Sequence, residues 1–561
     1  MHFAVESLTQ TLKNSAILML AISGAWVAGP GYAAPNPATE NRPALEMQNL
    51  QRNLDRARRE KAVKEMRAKE KLTDEIAPVA AEMPESGLRF TLKTLKHTPS
   101  LVLTEDEFDE AVAPWIGKEI GTNDLAEILN AVNRLYADKG YAVCLAAVEP
   151  QRISDGELTI TLVEGRTNDV TIEGNLTTKE AWLKDVLPLK QGEVVNYRDM
   201  LDRLVRFNMT NDVSMKVDMR AGSYPKTTDY RVVVEEPPRW NTVLFADTFG
   251  SESTGRYRAG ASITNRSLFG IRDSASILAM ASEGNLSTML SYGVPLTPFG
   301  TRLSLTASYG EVEMVDGPSE ALDIDGESML FSAKIEHPFK VDNRQRWTGW
   351  LEMSRQTSET TMRGSFSLAD LEIDAYRLGL TGVYLGEKSV YTLTTAVSEH
   401  RSTEKNFSNR KADYELWTGE AQGRFYFDTG ISLLLSGRWQ YLMGGDSISA
   451  DYFYLGTSTG VRGYENDLLT AASGLILSAE ATIPFRDRQS FFVFMDAGQL
   501  GNDGDSVSSD RSIWSAGAGL NWNIKERADV RLTLAIPLEK GLDTQEDVDD
   551  VRLDAMATFT F

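Results

Sequence analysis

Gly460-Val461-Arg462-Gly463-Tyr464 sets an arginine between two glycines in a loop-like segment of roughly two dozen residues. Upstream, Thr429 to Met443 has the alternation of a strand; downstream, Ser473 to Pro484 has it again. The next strand, Phe491 to Leu500, contains Phe494-Met495-Asp496-Ala497-Gly498, an acid among apolar neighbours. Phe491, Val493, Met495 and Ala497 share one parity, so Asp496 turns to the opposite face with Phe492 and Phe494. The loop therefore joins two neighbours in a strand series, and the strand after it offers an acid.

Strand patterns continue outward from this point in both directions. Sixteen begin, near 240, 255, 272, 286, 300, 325, 345, 372, 387, 412, 429, 471, 489, 511, 526 and 550. In the last, Val551, Leu553, Ala555, Ala557, Phe559 and Phe561 alternate with Arg552, Asp554, Met556, Thr558 and Thr560. Ala528, Val530, Leu532, Leu534 and Ile536 alternate with Asp529, Arg531 and Thr533, and Trp514 and Trp522 suit two interfacial girdles. An even count with no long intervening helix predicts a closed antiparallel transmembrane barrel of about 16 strands over 237–561, after the linker Glu235-Glu236-Pro237-Pro238. A soluble sandwich would alternate similarly; the even count, an export signal and the terminal Phe561 favour the membrane.

Composition agrees with an ordered chain: 42% of 561 residues are hydrophobic and 25% charged. A mean hydropathy of −0.28 and no apolar run near 20 residues beyond the leader argue against spanning helices but not against alternating strands. The net charge of −22 disfavours nucleic acid as a partner. Cys144, the one cysteine, excludes an internal disulfide and reads as a small buried apolar residue. The four histidines, His2, His97, His337 and His400, show no metal-ligand spacing, and no Gly-x-x-x-x-Gly-Lys-Ser/Thr phosphate loop is present. Neither an enzyme nor a cofactor is expected, although a Ser/His site assembled in space leaves no mark in sequence order.

Residues 1–33 have the form of a signal peptide: Lys13, an apolar run from Ser15 to Ala28, and Gly31-Tyr32-Ala33 for cleavage. From Ala44 to about Ile76 the chain is rich in helix formers, with Asp55/Arg59, Glu60/Lys64 and Glu65/Lys69 at supporting four-residue spacing. Between Arg52 and Lys71 nine basic residues face four acids, and no continuous apolar stripe accompanies them. Such a helix sits in water or bridges domains, and by itself reads as a solvated linker.

Residues 86–165 and 166–236 repeat one order: strand, helix, helix, strand, strand. In the first, Leu88, Phe90 and Leu92 alternate, Thr104 and Glu107 form a capping box, and Leu125, Ile128, Leu129, Val132, Leu135 and Tyr136 make a helical stripe. In the second, Val170 and Ile172 open a strand, helical segments follow near Lys179 to Leu187 and Tyr197 to Asn208, and strands close it at Val213 to Met219 and Tyr230 to Val234. Edge strands of such small sheets leave backbone groups open to an added strand.

The Val-Arg-Gly-Tyr loop followed a strand later by Phe-x-Asp-x-Gly resembles the Omp85 superfamily, and specifically its two-partner secretion transporters of TpsB, ShlB/FhaC/HecB type. Asp138-Lys139-Gly140-Tyr141 with Gly156-Glu157-Leu158 resembles the POTRA domain, and Thr254-Gly255-Arg256-Tyr257-Arg258 with Asn265-Arg266-Ser267-Leu268-Phe269-Gly270 is similar to the first barrel hairpin of these transporters. The resemblance implies a signal peptide (1–33), plug helix and linker (34–85), POTRA 1 (86–165), POTRA 2 (166–236) and an outer-membrane barrel (237–561). It implies that Gly460 to Tyr464 form a lumenal loop motif facing a wall motif of Phe494, Asp496 and Gly498, with Arg462 gripping Asp496 through its planar guanidinium. The implied function is secretion of a large haemolysin- or adhesin-type exoprotein, recognised in the periplasm by its N-terminal secretion domain, with outer-membrane lipid and the barrel assembly machinery as further partners. An insertase of the same superfamily is the alternative, ranked second because such factors usually carry more than two POTRA modules; a gated diffusion pore is third.

Overall fold

A computed structural model describes residues 42–43, 60, 63–69, 89–141, 143–316, 320–364, 366–405, 410–456, 460–465, 469–501, 511–524, 527–540, 542 and 548–561. The signal peptide and most of the 34–85 segment lie outside the described residues.

In the first module, Thr94–His97 runs parallel to Glu157–Val163, which pairs antiparallel with Leu145–Ala147. Helices Glu105–Val112 and Thr122–Asp138 cover the sheet. The first starts at the capping box: Thr104 N–H donates to Glu107 Oε2 at 2.9 Å, and Glu107 N–H to Thr104 Oγ1 at 3.4 Å. Phe108, Ile128, Val132, Leu158 and Ile160 meet in a closed core, each fully buried side chain contributing about 1.5–3 kcal/mol. Phe90–Thr91 pairs instead with Glu119–Ile120, and only Thr94–His97 joins the main sheet. Leu92 and Leu95 are both buried, which breaks the two-residue period and bends the chain between them, so the single strand expected around Phe90 becomes two.

Glu164 ties this core together. Burial raises its carboxyl, but hydrogen bonds from Ser100 Oγ (2.5 Å), Leu101 N–H (2.7 Å) and the Tyr136 hydroxyl (2.7 Å) outweigh burial and hold it below the usual carboxylate range. A carboxylate depressed in the folded state contributes stability above its unfolded pKa of about 4.3 and loses it as pH falls through the folded value. The urea midpoint of an 86–236 fragment is expected to fall between pH 7 and pH 3.5, and less so with Glu164→Gln; a midpoint insensitive to pH would contradict this.

The second module repeats the order. Arg166–Glu173 runs parallel to Thr227–Glu235, which pairs antiparallel with Ser214–Ala221, beneath helices Glu180–Lys184 and Tyr197–Thr210. Asn196 Nδ2 donates to the Lys139 carbonyl at 2.9 Å and Arg198 to those of Asp138 and Ala137, both at 3.1 Å, so the two modules are joined helix end to helix start.

Sixteen antiparallel strands then close on themselves, from Trp240–Asp247 to Arg552–Thr560, the last paired back to the first. Closure leaves no open edge, which in hydrocarbon costs several kcal/mol per unpaired backbone group. Alternation sorts the wall: Leu351 and Met353 are exposed outward, whereas Gln356 and Ser358 are buried inward. Leu532, Leu534 and Ile536 face out against buried Thr533 and Ala535. Strands Ile324–Val341, Gln345–Met362 and Phe366–Leu385 hold 18, 18 and 20 residues, against the 9–11 that cross a bilayer at a tilt, so this side of the wall rises above the membrane.

The second module docks on the periplasmic rim. Arg272, with its side chain fully buried, grips Asp212, Arg346 Nη1 donates to the Met209 carbonyl at 2.9 Å, and Asn211 Nδ2 to that of Pro298 at 2.8 Å. Residues 63–69 are helical and lie in the same junction. Lys69 Nζ donates to the carbonyls of Asn208 (3.1 Å), Asn211 (2.6 Å) and Val213 (3.2 Å), and Arg67 to those of Gly386 (3.2 Å), Glu387 (2.9 Å) and Ser389 (3.3 Å). The sequence predicts a polar helix without a continuous apolar stripe, yet Met66 is buried among Met209, Val383, Leu385 and Val390. One apolar side chain in a polar helix makes an anchor without making a stripe. Pro43 touches the inward face of the wall at Gly326, near the opposite end of strand Ile324–Val341.

Candidate functional site: an arginine-pinned loop inside the barrel

The described part of the segment between strands Ser432–Gly445 and Gly474–Arg486 folds inward and packs Leu455, Val461, Tyr464 and Leu469 against Ile476, Leu500 and Ile513 of the wall. Val461 and Leu455 occupy the space above Gly498, where an added Cβ would stand 2.8 and 2.9 Å from their side chains. Gly498 is thus the socket for the loop. Gly463, at φ +96°, makes the left-handed turn that carries the chain past Arg462.

Arg462 points into the wall. Its Nε and Nη2 donate to the two oxygens of Asp496 at 2.7 and 2.8 Å, and its own N–H donates to Asp496 Oδ2 at 3.1 Å. Nη1 donates to Glu480 Oε2 at 2.6 Å, and Nη2 also reaches Ser478 Oγ at 3.2 Å. The guanidinium carbon lies 3.5 Å from the centroid of Phe494. Asp496 is fully buried, so its charge depends on these donors and on the Ser478 hydroxyl at 2.6 Å. Tyr464 donates to the Trp514 carbonyl at 2.8 Å and accepts from Glu539 N–H at 3.1 Å. Gly460 is buried at the start of the turn.

Several contributors carried no signal in the sequence. Glu480 also accepts from Arg531 Nη2 at 2.7 Å, and Arg531 stacks 3.8 Å over Phe492. Glu465 pairs with Arg552 of the last strand, which also donates to Asp554 at 3.2 Å. A second clamp lies before the motif: Asp451 accepts from the Tyr414 hydroxyl at 2.5 Å and stands 2.7 Å from His400 Nδ1, whose Nε2 meets Ser398 Oγ at 2.9 Å. All four of these side chains are buried. The partners come from several strands and from the loop itself, so strand register and the loop's inward fold together bring them into contact.

The profile of the haemolysin secretion/activation proteins ShlB/FhaC/HecB matches residues 227–522, more than half of the chain. The chain belongs to that family. A ShlB-type POTRA profile matches residues 90–165. The heme/hemopexin transporter protein HuxB of Haemophilus influenzae is 21% identical over 84% of this chain and 87% of its own length. The outer membrane transporter CdiB of Dickeya dadantii is 20% identical over 87% and 90%. CdiB from Escherichia coli has the same fold, with a TM-score of 0.65 at 18% identity over 95% of this chain and all of its own. CdiB from Acinetobacter baumannii gives 0.63 at 18%, over 94% of this chain and all of its own. Membership makes the chain an outer-membrane transporter of two-partner secretion, with its POTRA region in the periplasm and a secreted exoprotein as its partner.

Proposed function

We propose that the two modules take up the N-terminal secretion domain of a large haemolysin- or adhesin-type exoprotein as an extended segment, and that the segment leaves through the barrel. The observation that carries this is the buried Arg462–Asp496–Glu480 brace, which spends three charges on holding one loop to one wall of a closed barrel. In this scheme the brace keeps the loop from collapsing across the lumen during transport. Among the described residues strand Ser214–Ala221 is bonded on one side only, so its free edge is the place for an added client strand. The 34–85 segment serves as a resting plug, and 86–165, 166–236 and 237–561 act as two receptors and a pore. No step requires catalysis: the Ser398–His400–Asp451 group is closed under the loop that it clamps. Barrel assembly machinery inserts the chain, and lipid surrounds it.

An 86–236 fragment is expected to bind the unfolded N-terminal part of the partner, with binding that persists in moderate salt because backbone pairing carries it. Equal binding to unrelated extended polypeptides would return the modules to the role of spacers.

A further inference from the structure

Leu176 is the most exposed large apolar side chain among the described residues, at 89%. It stands at the tip of the turn that follows strand Arg166–Glu173 of the second module. The turn is held firmly. Thr177 N–H and Oγ1 donate to Glu236 at 2.8 and 2.6 Å, and Thr178 N–H donates to the same carboxylate at 3.0 Å. From the barrel, Ser267 Oγ donates to the Thr177 carbonyl at 3.1 Å, Arg272 Nη1 donates to Thr177 Oγ1 at 3.3 Å, and the Gly270 carbonyl accepts from Lys179 N–H at 2.8 Å. Leu176 is therefore exposed on a fixed scaffold, at a height set by the barrel.

That height is the periplasmic edge of the bilayer. The barrel turn that holds Leu176 joins strands Arg258–Asn265 and Ser274–Ala281. Its Ser267, Gly270 and Arg272 are buried against the module, while Leu268 and Phe269 are 39% and 60% exposed on its other side. Phe269 meets Tyr292 edge-on at 6.4 Å, and Trp240, 59% exposed, begins the first strand at the same end of the wall. Aromatic side chains in this position form the interfacial girdle of an outer-membrane barrel. Leu176 sits on the module turn that this barrel turn holds through Thr177 and Lys179, and the Lys179 side chain beside it is exposed.

We propose that Leu176 inserts into the phospholipid of the periplasmic leaflet, so that the 174–178 turn attaches the second module to the membrane and limits its rotation on the barrel rim. The exposed Leu268 and Phe269 of the barrel turn that holds this segment, at the end of a wall that faces lipid, argue for lipid over a second protein. Leu176 makes no packing contact that a substitution would remove, so the full chain with Cys144→Ala and Leu176→Cys is expected to fold normally. Labelled with an environment-sensitive fluorophore and reconstituted into phosphatidylethanolamine/phosphatidylglycerol vesicles, the Leu176→Cys probe is expected to emit to the blue and to be quenched by acyl-brominated lipid. The same label at Tyr224→Cys, on the exposed turn at the far end of the module, is expected to emit as in water and to escape quenching. Equal, water-like emission without quenching at both positions would overturn the proposal.

Discussion

Replacing Arg462 with alanine is expected to abolish most secretion and to destabilise the folded loop by about 3–5 kcal/mol, the usual cost of leaving a buried charge without its partner. Asp496 has no exposure, and Glu480 lies beside the same guanidinium, so the substitution brings two carboxylates together with Arg531 as the remaining cation at Glu480. Arg462→Lys is expected to recover little, because one ammonium cannot reproduce the paired bonds at 2.7 and 2.8 Å while also meeting Glu480. Asp496→Ala is expected to be comparably harmful, and the double substitution to cost less than the sum of the two. Secretion assays at matched barrel levels, with heat-modifiability as the measure of folding, decide the matter. Strictly additive losses would falsify the coupling.

Deleting residues 44–76 is expected to leave the barrel folded and to raise its ion conductance in planar bilayers severalfold. The described anchors of this segment are hydrogen bonds from Lys69 and Arg67 to backbone carbonyls and the buried Met66. A hydrogen bond that involves a charged group contributes about 1.5–3 kcal/mol, and partial exposure lowers that, so the segment is held yet releasable. Lys69→Ala with Arg67→Ala is therefore expected to raise the open fraction without any deletion. Salt is expected to have a smaller effect than charge pairing alone would give, because carbonyls and an apolar side chain, rather than carboxylates, receive these residues. Unchanged conductance in a correctly inserted deletion variant would assign the segment to the periplasm and leave closure of the lumen to the Arg462 loop.

The parity of Phe491, Val493 and Met495 was enough to turn Asp496 inward, because a strand's two faces alternate strictly and one of them must meet lipid. The sixteen strands were legible for the same reason. The rest of the brace was not. Glu480, Arg531, Glu465 and Arg552 stand on other strands or in the loop itself, and which of them meet depends on stagger between strands, to which local alternation is blind. His400 gave no signal because its partner Asp451 lies about fifty residues away in a loop and Tyr414 on the neighbouring strand. In the first module, alternation through Phe90 concealed the bend at Leu92, since buried positions three apart fit no strand period.

Passage of the partner through the lumen is the claim on which the whole account depends, and it has a direct test. Gln422 lies on the inward face of strand Arg410–Tyr426, where it bonds to Glu420 at 2.6 Å, and Tyr391, 42% exposed, faces lipid on the adjacent strand. A photo-crosslinking residue is placed at each position in cells that secrete a partner stalled by a folded C-terminal domain. Crosslinks to the stalled partner at Gln422 and none at Tyr391 are predicted. Secretion with no crosslink at Gln422, or crosslinks of equal yield at both positions, would contradict transport through the barrel.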